Sequence, residues 1–111
     1  DLRFVKHFKN YISEEKAYTN KKELANFGLP YFNMGKNILE FNLDKFEDYL
    51  HRQKVNLPRV DLVIKCQSIL KAKKNHGKFD GRSCVSWRMI NQTVDVEDLI
   101  VEGEYKEITN E

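Results

Sequence analysis

The sequence predicts an α+β fold, mostly helical, with one β-hairpin and a mixed C-terminal part. Apolar residues recur at helical spacing in four separate stretches, and polar caps or a proline stand where the last three of these begin. Between the second and third stretches lies a short extended run that turns at a glycine. At 111 residues and 41% hydrophobic, the chain can bury one core without staples. No repeat, low-complexity tract or linker divides it, and its only two prolines stand at element boundaries. Residues 1–111 are therefore expected to form a single domain: a first unit over about 2–54, then a helix and a mixed extension over about 56–111.

Phe4, Val5, Phe8, Tyr11 and Ile12 place an apolar stripe on a helix from about Leu2 to Glu14. Thr19 or Asn20 can cap a short second helix that Gly28 ends at Phe27, with Glu23 set for a capping box and Leu24, Ala25 and Phe27 facing inward. Pro30 disfavours helix for Leu29 and opens an extended run, Tyr31–Met34, joined to Ile38–Phe41 through Gly35-Lys36-Asn37. Asn42 or Asp44 can cap a third helix to about Gln53, on which Leu43, Phe46, Tyr49 and Leu50 form the buried stripe. Asn56-Leu57-Pro58 starts a fourth, expected to reach Lys73 or Lys74 with Val60, Val63, Ile64, Ile69 and Leu70 inward and Asn75-His76-Gly77-Lys78 as its stop. Beyond it, Val85, Trp87 and Met89 alternate as on a strand within Phe79–Ile90, a segment that also accommodates a short helix from Ser83. Val94–Val101 reads as a short helical turn and Glu104–Ile108 as a final strand or loose tail.

Charge is divided more sharply than the net +2 suggests. Residues 1–94 hold 18 Lys/Arg against ten Asp/Glu, a balance of +8, whereas residues 95–111 hold one Lys against seven, a balance of −6. Such a basic body attracts polyanions through its summed field, and an acidic end can pack on it or compete for the same surface.

The succession of a short capped helix and then LPYFNMGKNILEFNLDKFEDYL resembles the end of the excisionase and MerR-type winged-helix DNA-binding family. Leu29, Pro30, Tyr31, Gly35, Phe41, Leu43, Phe46, Tyr49 and Leu50 take the places of that family's leucine-proline, aromatic, wing glycine and closing helix, over roughly Thr19 to Gln53. The resemblance implies a winged-helix-like unit whose hairpin is the wing. The family inserts a turn and a recognition helix before the leucine-proline, where this chain has only Phe27 and Gly28. Either Asn20–Phe27 is itself the reading helix, or that helix is lost and with it major-groove recognition. In the first case Lys21, Lys22 and Asn26 face phosphates or base edges, and Lys36 and Asn37 sit at the wing tip. Lysine-to-phosphate contacts supply salt-sensitive affinity and no sequence information.

A second basic region lies at the end of the fourth helix and just beyond it: Lys71, Lys74, Lys78, Arg82 and Arg88, with Lys65, Lys73 and His76 among them. Lys71, Lys74 and Lys78 are spaced to share a helix face. Trp87 and Phe79 fall nearby, and basic side chains interleaved with aromatics suit a single strand whose bases stack on a ring. Alternation with Val85 and Met89 favours the other reading of Trp87, as core.

Catalytic and metal chemistry find no support. His7, His51 and His76 stand far apart, Cys66 and Cys84 read as buried free thiols, and no phosphate-cradling glycine pattern or nucleophile elbow occurs. Glu14-Glu15 and Glu97-Asp98 are adjacent and so diverge on a helix, and Phe79-Asp80-Gly81-Arg82 reads as a turn. No cofactor, metal or enzymatic activity is expected. Asn91-Gln92-Thr93 fits the glycosylation pattern, but nothing else points to secretion, and no run approaches the roughly 18 apolar residues of a membrane span. The chain opens on Asp1, as an excised or processed domain would, which leaves room for function shared with other segments. The expectation is an intracellular, cytoplasmic DNA-binding accessory, for duplex or single strand, serving replication, recombination or transcription on a mobile element. The rival is a protein-interaction module that docks on a larger enzyme through its hairpin edge or acidic tail.

Overall fold

The computed structural model describes residues 2–33 and 35–90, and the fold is α+β. The elements run α1 (Leu2–Glu15), α2 (Lys21–Phe27), β1 (Tyr31–Asn33), β2 (Ile38–Phe41), α3 (Leu43–Arg52), α4 (Arg59–Ser68), β3 (Lys73–Phe79) and β4 (Arg82–Ile90). The strands form one antiparallel sheet in the order β1-β2-β4-β3. The expected β1–β2 hairpin is present, but it is not free-standing, because β2 pairs along its length with β4, from Ile38 opposite Ile90 to Phe41 opposite Trp87.

The starts of α2 and α3 follow the sequence signals, whereas α4 begins after Pro58 with no side-chain cap, so Asn56 does not cap it. Asn20, not Thr19, caps α2 by accepting from the Lys22 N–H at 2.8 Å, and Asn42 caps α3 by accepting from the Lys45 N–H at 3.0 Å. The stops are less conventional. Gly28 ends α2 at φ 69°, but lysines hold the left-handed conformation after the other three helices: Lys16 at φ 67°, Lys54 at 60° and Lys71 at 56°.

Lys71 accounts for the largest correction. The chain leaves α4 at Ser68, turns at Lys71, and returns the Ala72 N–H to the Cys66 carbonyl at 2.9 Å, burying Leu70 and Ala72. What was expected to be the last turn of a helix and its stop, residues 73–78, is strand β3. Lys71, Lys74 and Lys78 consequently share no helix face. The β3–β4 connection is the two-residue turn Asp80-Gly81, both at positive φ (53° and 77°), which matches the twist of the flanking strands. Two helix faces also differ from expectation. Val60 and Ile64 are exposed on α4, which buries Leu62 and Cys66 instead, and Phe27 is 62% exposed at the end of α2. The expected short helix at Val94–Val101, the final strand at Glu104–Ile108 and the acidic tail lie outside the described residues.

The main core lies between one face of the sheet and α1, α3 and α4. Phe46 of α3 is its hub, with ring centroids 5.9 Å from Phe4, 5.2 Å from Phe8, 5.1 Å from Tyr11 and 6.0 Å from Phe41. Three of these four pairs are edge-to-face, the arrangement that ring quadrupoles favour. Phe32, Leu39, Phe41, Trp87 and Met89 supply the sheet side. Burial pushes the Cys66 thiol up to about 12, the value of an unreactive core thiol. Cys84 is also free and buried, but its register partner Gly77 places it on the opposite sheet face from Trp87, so the sheet stands between the two sulfurs.

Phe46→Ala is expected to remove about 3–5 kcal/mol of stability, read as a lower urea midpoint. Lys54→Gly should act in the opposite direction, raising stability by about 1 kcal/mol, because it relieves a left-handed residue that carries a Cβ.

Candidate nucleic-acid interface

Strand β3 has few apolar side chains to hold it. Its sequence, KKNHGKF, is half or fully exposed throughout, and it is attached by seven register pairs with β4, from Lys73 opposite Arg88 to Phe79 opposite Arg82. Lysine on an edge strand also discourages pairing with another chain. Residues 69–90 together carry six Lys/Arg against a single carboxylate, Asp80.

Register sorts these charges onto two faces. On the face of the main core, Lys74 stands opposite Trp87, His76 opposite Val85 and Lys78 opposite Ser83. Trp87 is 6% exposed and within the core cluster, so it offers no ring to a base. Val85 does not continue that buried row and is 45% exposed. The other face carries a rung that crosses all four strands: Tyr31, Glu40, Arg88 and Lys73.

Glu40 is the unexpected member of that rung. In the run Ile38-Leu39-Glu40-Phe41 it alternates with core residues and reads as solvent-facing, yet it is 3% exposed. The Ser86 hydroxyl, itself buried, donates to its Oε1 at 2.8 Å, Lys21 Nζ lies 4.0 Å from the same oxygen, and an Arg88 terminal nitrogen lies 3.4 Å from Oε2. A buried carboxylate is tolerable when opposite charges and a donor satisfy it in this way.

These contacts fix α2 on the second face of the sheet. At its N-terminal end Lys21 reaches Glu40, and at its C-terminal end the Asn26 side-chain oxygen accepts from Arg82 at 2.5 Å. Leu24, between the two ties, is buried, as are Ser86 and Cys84 on the strand between Arg88 and Arg82. Two basic regions more than 50 residues apart in sequence thus become one surface.

Of the residues singled out by sequence, Asn26 and Arg82 are in direct contact, Lys21 and Arg88 are linked through Glu40, and Lys22 is exposed on the same helix. Lys71, Lys74 and Arg88, with Lys73, Asn75 and Ile90, line a depression of about 280 Å³. Lys36 is exposed in the β1–β2 loop, which the Ile38–Ile90 pair places at the same end of the sheet as Lys71 and Lys73. Asn37 is in the left-handed conformation at φ 55° with its side-chain oxygen buried, so it is a turn residue rather than a projecting tip. Lys74 and Lys78 belong to the opposite sheet face from Arg82 and Arg88, and meet them only around the β3 edge. Sequence reading missed Glu40, Ser86 and Asn75, and nothing local marks them.

Two other features bear on function. The outer edge of β1 is partly occupied by Tyr18, which donates to the Pro30 carbonyl and accepts from the Phe32 N–H, both at 2.8 Å. A cleft of about 500 Å³ between α4 and the hairpin is lined by Val63, Val85, Trp87 and Lys74, with the Arg59–Asp44 ion pair (2.8 Å) at its margin. Among the described residues no helix is long and apolar enough to cross a membrane. Comparison of the chain with family models, with curated proteins and with solved structures yields no match.

Removing the hydroxyl beneath Glu40 tests whether the rung is structural. Ser86→Ala is expected to lower the stability measured by urea denaturation by about 1.5–3 kcal/mol, the range for a buried hydrogen bond to a charged group.

Proposed function

We propose that this protein binds nucleic acid through the phosphate backbone, without strong sequence preference, on the surface shared by α2 and the β3–β4 hairpin. The observation that carries the reading is the joining of α2 to the hairpin, where Lys21 and Arg88 flank the buried Glu40 and Arg82 bonds Asn26, with Lys22, Lys71 and Lys73 exposed on the same elements or beside them. Such a cationic surface gains affinity by releasing counterions and does not read bases. The winged-helix resemblance adds DNA as the expected polymer and an accessory role in replication, recombination or transcription on a mobile element. It does not add a reading helix: α2 has seven residues, and Lys21 and Asn26 are engaged within the protein, which leaves Lys22 as its exposed basic side chain. Stacking on Trp87 is no part of this mechanism, since the ring is buried.

A protein-interaction role is the second reading, favoured by the α4–β4 cleft and the neighbouring exposed Val60 and Ile64. Its chemistry fits an apolar segment carrying a carboxylate towards Lys74. Neither sheet edge adds to this reading, because Tyr18 partly occupies that of β1 and the lysines of β3 discourage strand pairing.

Titration of labelled single- and double-stranded DNA at two salt concentrations separates the readings. Binding that weakens steeply with salt is expected for both polymers, and no binding at low salt would leave the interaction role. Arg82→Ala should weaken binding similarly for unrelated sequences and lower the slope of log K against log salt by about 0.7–0.9, one phosphate contact. Lys36→Ala should do the same only if the β1–β2 loop joins the interface.

A further inference from the structure

We propose that the depression bounded by Lys71, Lys73, Lys74, Asn75 and Arg88 is a phosphate-binding subsite, and that Glu40 is the residue that positions Arg88 for it. The inference rests on the reading above and makes it specific to one place. Lys73 and Arg88 are register partners on one face, and Lys71 and Lys74 close the depression from the start of β3. A phosphate group, whether in a nucleic-acid backbone or in an inorganic polyphosphate, matches such a set of cationic donors.

Glu40 distinguishes a built site from a cluster of surface lysines. A carboxylate in a polyanion-binding surface opposes anions by its charge, so its burial beneath the basic rung needs another account. Its contacts supply one. Ser86 fixes the carboxylate from below, and Arg88 meets it through one terminal nitrogen at 3.4 Å instead of closing a two-point fork. The Arg88 side chain is 37% exposed and lines the depression, although its Nε is buried, so its direction is set while part of the guanidinium faces the subsite. Lys21 is drawn to the same carboxylate from α2, which ties the helix to the subsite.

Charge and position predict opposite signs. Glu40→Gln removes a negative charge but keeps an oxygen for the Ser86 hydroxyl. If Glu40 only offsets charge, the variant binds polyanions more tightly; if it positions Arg88, the variant binds more weakly, by about tenfold for the loss of one aimed, charge-assisted contact. Arg88→Lys, which keeps the charge and loses the planar fork, should weaken binding similarly. The double variant should be little worse than either single, because both remove the same aimed group. The probes are oligothymidine and tripolyphosphate, followed by anisotropy and by calorimetry, with circular dichroism to check each fold.

Weaker binding of both probes by Glu40→Gln and Arg88→Lys supports the subsite. Should Glu40→Gln fail to fold, Arg88→Lys and Lys73→Ala decide the subsite, and loss of tripolyphosphate binding in both supports it. Oligothymidine binding that is unchanged or tighter in the folded variants overturns the subsite and leaves the nucleic-acid reading standing. Tripolyphosphate binding that depends on Arg88, without oligothymidine binding, upholds the subsite and defeats the nucleic-acid reading. Binding of neither probe by the unaltered protein defeats both.

Discussion

The pairing of β2 with β4 joins two hairpins that have little else in common. One, β1–β2, follows α2 and is anchored by Phe32, Leu39 and Phe41 in the aromatic core; the other, β3–β4, is basic and largely exposed. Four register pairs between Ile38–Phe41 and Trp87–Ile90 make them one sheet. On the core face these pairs set Leu39 beside Met89 and Phe41 beside Trp87, completing the layer on which Phe8 and Phe46 pack. On the other face the same pairs set Glu40 beside Arg88. A shift of register by one residue would exchange the two faces and bury Arg88 where Met89 and Trp87 now lie.

Consequences for function follow from that second face. The hairpin alone would be a strip of lysine and arginine on an edge strand, a feature that solubility explains equally well. Its connection to α2, through Arg82 with Asn26 and through Glu40 with Lys21 and Arg88, turns the strip into a surface with a depression and a buried ionic anchor. The internal ties that organise α2 also use its polar side chains, so the surface is better suited to a repeating phosphate backbone than to base edges.

The elements whose burial repeats with a regular period were legible in the sequence. The stripes of α1 and α3, the caps Asn20 and Asn42, the stop at Gly28 and the hairpin after Pro30 all stand where local chemistry puts them. Strand β3 was not legible, because a strand held by backbone pairing to a partner, with lysine, asparagine, histidine and glycine for side chains, has no alternation to read. Its helical misreading was completed by Lys71, which occupies the left-handed turn where glycine would have been the signal. On α4 the apolar residues Val60 and Ile64 gave a stripe wider than the one that is buried, since periodicity marks a face but not how much of it a neighbour covers.

The sequence by itself determined the α+β class, the helix starts, the buried thiols and an excess of basic charge in the body of the chain, all of which depend on residues near one another. The tertiary structure alone decided that Asn26 would meet Arg82, and that Lys21 and Arg88 would both meet a buried Glu40. The reason is physical: a carboxylate on an alternating strand is solvated unless another element lies over it. Whether α2 does so depends on pairing between strands almost fifty residues apart.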